Sequence, residues 1–193
     1  YKDRHRELMP WVLMIFSTVS AFFLVVLAFV SNPFESVFPV PADGRGLNPL
    51  LEDANMMTHP PLLYTGFVGL MVPYAFAMAA LIKGKLDEDW IVTTRRWTII
   101  AWFFLTMGNL VGAWWSYHVL GWGGYWAWDP VENAAFMPWL PATAFLHSVQ
   151  VQERRQMLKV WNLSLIIIAF SLTIFGTFLT RSGILSSIHA FSS

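Results

Sequence analysis

The sequence predicts an all-α protein: a polytopic bundle of about five transmembrane helices with a Trp-rich loop on its outer side. Three observations carry that prediction. Of 193 residues, 56% are hydrophobic and only 12% are charged, with mean hydropathy +0.51; a soluble domain carries about 25% charged residues. Five stretches, 11–30, 61–82, 97–120, 134–149 and 161–180, contain no Asp, Glu, Lys or Arg, and a helix needs about 20 apolar residues to cross a bilayer. The charges between them are sorted by sign, as the loops of a multi-pass protein are. Together these argue against both a soluble globular domain and a disordered chain.

The elements follow in order. Span 11–30 is read as a true span, because its apolar core is about twice the length of a signal peptide's and no small-residue cleavage site follows it. Span 61–82 is thinned by Gly66 and Gly69, and span 97–120 carries Gly108 and Gly112 as a G-x-x-x-G pair; small residues let helices approach closely in lipid. Span 134–149 is the weakest, interrupted by Pro138 and Pro141, so a short interfacial helix is expected to run into it. Span 161–180 closes the set. The chain stops soon afterwards with no polar tail, and is read as one membrane domain, 1–193, of a longer protein.

The loops set the orientation. One side holds ten of the twelve Lys and Arg against six acids, net +4; the other holds Arg45 and Arg181 against six acids, net −4. Basic loops stay in the cytoplasm, so the N-terminus is inside and the segments 31–60, 114–133 and 181–193 are outside. Equal totals of acids and bases give no reason to expect a nucleic-acid partner. Cysteine is absent, which removes disulfides, zinc knuckles, iron–sulfur ligation and thiol nucleophiles.

The outer segments carry the unusual residues. Trp114, Trp115, Trp122, Trp126 and Trp128 are five Trp within fifteen residues, with Gly121, Gly123 and Gly124 among them. Interfacial belts explain one or two Trp per interface. A flat apolar ligand explains five better, since indoles stack on its faces and glycines let the backbone approach. Asp129-Pro130-x-Glu132 is a helix-start pattern, and a fixed cap also aims the loop before it, so capping and ligand roles both stand. His59, before Pro60, is expected on an extended turn, and His189 lies nine residues past the last span. Both fall on the Trp-loop side and supply two imidazoles for a metal; with no Cys and an aromatic platform, haem iron is the natural candidate. His147 sits within the fourth span, either hydrogen-bonded to a neighbouring helix or ligating a haem inside the bundle. His118, beside Trp114 and Trp115, is a further candidate ligand.

Residues 122–140, WGGYWAWDPVENAAFMPWL, resemble the tryptophan-rich WWD signature of haem-handling membrane proteins. The DPVEN continuation, with HPPLLY at 59–64 and RSGILSSIH at 181–189, is similar to the CcmF family, the haem lyase subunit of bacterial cytochrome c maturation; the nitrite reductase maturation relatives share the pattern. The resemblance implies an inner-membrane enzyme that joins haem vinyl groups to the thiols of C-x-x-C-H in apocytochrome c. It implies that His59 and His189 act catalytically as iron ligands of an outer haem b held by Trp114, Trp115, Trp122, Trp126, Trp128 and Asp129. His147 would ligate a second, membrane haem b whose other ligand lies beyond this sequence. The implied partners are the haem chaperone CcmE, apocytochrome c, CcmH and CcmI, with membrane quinol as electron source. A haem-presenting module without lyase activity and a quinone-linked electron-transfer subunit are the alternative classes.

Overall fold

The structure, a computed structural model, describes residues 5–36, 38–44, 46–85 and 88–189, and among them every regular element is helical. Helix α1 (Met9–Phe29) has Pro10 in its first turn, where a missing N–H is not needed. Its start joins the core through Leu8 and Val12, and Lys83 Nζ lies 5.8 Å over the Trp11 ring. Further along, Leu13, Phe22, Leu24 and Val25 are exposed, an apolar surface suited to lipid or to other helices.

The single span expected at 61–82 is two nearly continuous helices, α2 (Asn55–Gly69) and α3 (Met71–Lys83), divided at Leu70. Pro73 accounts for the division. It has no N–H to offer the Gly69 carbonyl, so the helix restarts with Pro73 in its first turn. Helix α4 (Glu88–Val119) has 32 residues, about 48 Å at 1.5 Å per residue. It absorbs 88–96, expected as part of an inner loop, and runs on to 119, where span 97–120 overlaps the outer segment 114–133, so Trp114, Trp115 and His118 are helical. Its contact with α2 depends on small residues. A Cβ on Gly66 would lie 2.6 Å from Leu105 N, and one on Gly108 would lie 2.7 Å from Leu63 Cα.

Among the described residues, four helical runs are long and apolar enough to cross a membrane: Met9–Phe29, Asn55–Lys83, Trp90–Val119 and Lys159–Arg181. The region expected as the fourth of five spans is instead a pair of shorter helices, α5 (Pro130–Phe136) and α6 (Trp139–Arg155). Pro138 removes the N–H that the Ala134 carbonyl would have received, and that carbonyl faces Gly176 of α7, where a Cβ would come within 2.8 Å. Helix α6 runs antiparallel to α4. Trp139 Nε1 donates to Thr106 Oγ1 and Trp102 Nε1 to Thr143 Oγ1, each at 2.8 Å, and Glu153 pairs with Arg95 near the start of α4. Helix α7 (Lys159–Arg181) then returns toward the Trp-loop end. The core between α3, α4, α6 and α7 contains Ala75, Ala80, Leu105, Phe145, Ile166 and Ala169. Towards the Trp-loop end, α2 and α5 line the bundle with α4 and α7.

Candidate functional site

At that end, α2, α4, α5 and α7 enclose a cavity of about 370 Å³. His59 and His189 both line it. Its apolar walls include Leu63, Phe67, Trp115, Trp126 and Ala135.

His59 lies within α2 rather than on the extended turn its Pro60 neighbour suggests. The preference of a pre-proline residue for extended backbone is overridden by packing on α4. Gly112 leaves the space for the imidazole, since a Cβ there would sit 2.5 Å from His59 Cε1. His59 Nδ1 lies 2.8 Å from the Gly108 carbonyl oxygen. A carbonyl only accepts, so Nδ1 carries the proton and Nε2 keeps its lone pair.

His189 reaches the same state by another route. Asp129 caps α5 by accepting from Val131 N–H at 2.9 Å, while Glu132 Oε2 accepts from the N–H groups of Ala127 (3.0 Å) and Asp129 (3.2 Å). This is a complete capping box. The same Asp129 Oδ1 accepts from Ser187 Oγ at 2.6 Å and from His189 Nδ1 at 3.1 Å. Ser187 Oγ in turn accepts the His189 N–H at 3.0 Å. The cap and the orientation of the histidine are therefore one arrangement. The carboxylate holds the proton on Nδ1, so in the neutral ring the lone pair is on Nε2, the orientation seen when a carboxylate positions a metal-ligating histidine.

The tryptophans divide. Trp115, only 1% exposed, donates to the Leu50 carbonyl at 2.9 Å, and its ring lies 5.3 Å from that of His189. Trp126 lines the cavity and meets Phe136 edge-on. Trp122 does not line the cavity but sits 5.8 Å from His189, with its N–H on the Gly124 carbonyl. Trp114 and Trp128 do not line the cavity and are 54% and 70% exposed. Trp128 has φ +58°, a backbone region non-glycine residues rarely adopt, and its carbonyl accepts from Asn133 Nδ2.

Trp114 Nε1 donates to His118 Nε2 at 2.7 Å, and His118 Nδ1 faces Asp53 Oδ2 at 3.5 Å. His118 Nδ1 thus links α4 to the segment before α2, while its Nε2 bond stays within α4 and steadies the ring. The Asn55 backbone N–H holds the Asp53 carboxyl below its ordinary range, and His118 adds to the effect. His147 is exposed on α6, facing away from this bundle. Met56, Tyr64, Asn109, Thr180 and Arg181 also line the cavity and were not singled out in the sequence. Met56 precedes His59 by three residues and Arg181 opens the RSGILSSIH segment, so proximity to the two histidines was the available signal.

A model of the cytochrome c assembly protein family matches residues 3–186. The chain belongs to that family. It is 53% identical to the cytochrome c-type biogenesis protein CcmF of Haemophilus influenzae over 193 residues, all of this chain and 30% of that protein. The cytochrome c-type biogenesis protein NrfE of the same organism is 47% identical over 88% of this chain and 27% of its own length. A solved structure, Cytochrome c Heme Lyase CcmF, superposes with TM-score 0.76 at 50% identity, over 90% of this chain and 27% of that one. The chain thus spans less than a third of the length of these cytochrome c assembly proteins. The resemblance to CcmF carried by its motifs is borne out.

Proposed function

We propose that this chain is the haem-holding part of a cytochrome c haem lyase, and that His59 and His189 are the two axial ligands of the haem to be attached. The observation that carries this is the matched state of the two imidazoles. Each donates from Nδ1, to a carbonyl or a carboxylate, which in the neutral ring keeps the Nε2 lone pair for a metal, and both histidines line one cavity. The donor set fits haem rather than a bare cation. Among the described residues no three His, Asp or Glu converge as a metal cage, whereas haem iron asks for two axial donors and apolar walls. Bound haem is the substrate and supplies the vinyl groups.

The chain's own contribution is positioning. Asp129 holds His189 in register through Nδ1. Gly112 and Gly108 seat and orient His59. Trp115 and Trp126 bound the ligand's space, Trp122 abuts His189, and Trp114 and Trp128 lie outside the cavity. The two thiols of an incoming C-x-x-C-H segment add across the vinyl groups, sulfur to one carbon and hydrogen to the other. The segment's own histidine takes the iron position of His59 or His189. This chain has no Cys and so itself brings no thiol to compete for the vinyl groups.

His147 is the proposed ligand of a second haem b, a one-electron carrier that would keep the outer iron reduced at the expense of membrane quinol. Its outward-facing side chain suits a site completed by residues outside this chain. The charge asymmetry supports an inner-membrane orientation with the basic end cytoplasmic and the two-histidine cavity periplasmic. The proposed partners at that face are the haem chaperone CcmE, apocytochrome c, CcmH and CcmI. Replacing His59 or His189 by Ala abolishes cytochrome c maturation on this account; normal maturation in both variants rules it out. Covalent thioether product with purified apocytochrome separates a lyase from a haem-presenting module.

A further inference from the structure

We propose that Arg181 binds a carboxylate edge of the porphyrin and thereby decides which edge of it meets the incoming thiols. This rests on the haem reading above. Two axial ligands leave a flat macrocycle free to turn about the axis through its iron, and apolar walls do not distinguish one edge from another. A single fixed charge does.

Arg181 is the one Lys or Arg lining the cavity among the described residues. It is the last residue of α7, eight positions before His189, so its charge is placed close in sequence to one ligand. No described acid pairs with it. Glu132, which shares the cavity wall, is engaged by the N–H groups of Ala127 and Asp129, and Asp129 Oδ1 accepts from Val131, Ser187 and His189. The neighbouring hydroxyls are also committed, Thr177 Oγ1 donating to the Thr173 carbonyl and Thr180 Oγ1 to the Thr177 carbonyl. The guanidinium is therefore a cation with no acidic partner among the described residues, exposed at the rim of a largely apolar wall, at the end of the molecule whose formal charge is −4. That end carries two bases, Arg45 and Arg181, against six acids, and of the two only Arg181 lines the cavity among the described residues. The guanidinium fork matches a carboxylate with two parallel N–H···O bonds. With the acid edge held at Arg181, the vinyl edges face elsewhere.

A cation in the last turn also complements the helix dipole, but that role makes no demand on the ligand. The test is a titration of the full-length protein in detergent with ferric protoporphyrin IX and with its dimethyl ester, read as the His59-dependent Soret change. Wild type is expected to bind the free acid about tenfold more tightly than the ester. In Arg181→Gln the two affinities converge to within about twofold, the ester being bound as by wild type, and Arg181→Lys keeps part of the difference. Equal affinities in wild type, or an unchanged ratio in Arg181→Gln, overturn the proposal. A lowered melting temperature with the ratio intact assigns Arg181 to the helix end alone and also overturns it. The wild-type comparison requires no variant, so a folding defect does not hide the answer. If wild type binds neither porphyrin, the haem reading itself fails, a result distinct from binding without discrimination.

Discussion

Asp129→Asn separates the two tasks that one carboxylate performs. At an N-cap, Asn serves about as well as Asp, so the Val131 contact and the start of α5 survive. The charge that holds His189 Nδ1–H at 3.1 Å and Ser187 Oγ at 2.6 Å does not. Loss of a carboxylate behind a ligating histidine typically weakens the metal site by about 10- to 100-fold, or roughly 1.4 to 2.7 kcal/mol. Asp129→Ala removes the cap as well. That costs about a further 1 kcal/mol of stability and leaves His189 Nδ1–H and Ser187 without their acceptor. The assay is a haem titration followed at the Soret band, with a thermal melt on each variant. The expected pattern is weakened haem binding in both variants and a lowered melting temperature in Asp129→Ala alone. Wild-type haem affinity in Asp129→Asn refutes the positioning role. Equal destabilisation by the two substitutions refutes the division between cap and charge.

Other perturbations probe the remaining walls. Gly112→Ala puts a methyl 2.5 Å from His59 Cε1; overpacking of this kind costs about 1–3 kcal/mol, and displacement of the ring should appear as lost haem binding in the same titration. Trp114→Phe breaks the bond to His118 Nε2 but touches nothing in the cavity, so haem affinity should stay within about twofold while hydrogen exchange quickens at the start of α2; a large affinity loss would place Trp114 on the ligand. His147→Ala should remove a membrane haem b signal from the reduced spectrum and leave the outer haem signal in place; loss of both signals would contradict two separate sites.

Much of this architecture was legible in the sequence, and the exceptions have physical causes. Uncharged runs marked the membrane helices because the cost of burying a charge in lipid is local and large. The Asp129–Pro130–x–Glu132 cap was legible because every partner lies within five residues. That the same Asp129 would hold His189, sixty residues away, is a tertiary fact no local pattern encodes. The pre-proline rule puts His59 on an extended turn because it describes isolated backbone; the helical state is accompanied by Gly112, which reads in sequence as ordinary small-residue packing and is also the seat of an imidazole. The division of the Trp cluster was hidden for a related reason. Helix α4 continues through Trp114 and Trp115, so consecutive side chains point to different faces, one into the cavity wall and one out. The prolines of the fourth membrane segment signal a short helix running into it, but Gly176, whose lack of a side chain makes room for the Ala134 carbonyl, lies on another helix.

The central claim is that His59 and His189 ligate one haem, each through Nε2. Its most direct test is imidazole rescue of His59→Gly and His189→Gly in the full-length protein, read as the low-spin spectrum of the outer haem. The account predicts that each variant alone loses the bis-histidine spectrum and that added imidazole restores it in both. An unchanged spectrum in either variant contradicts it.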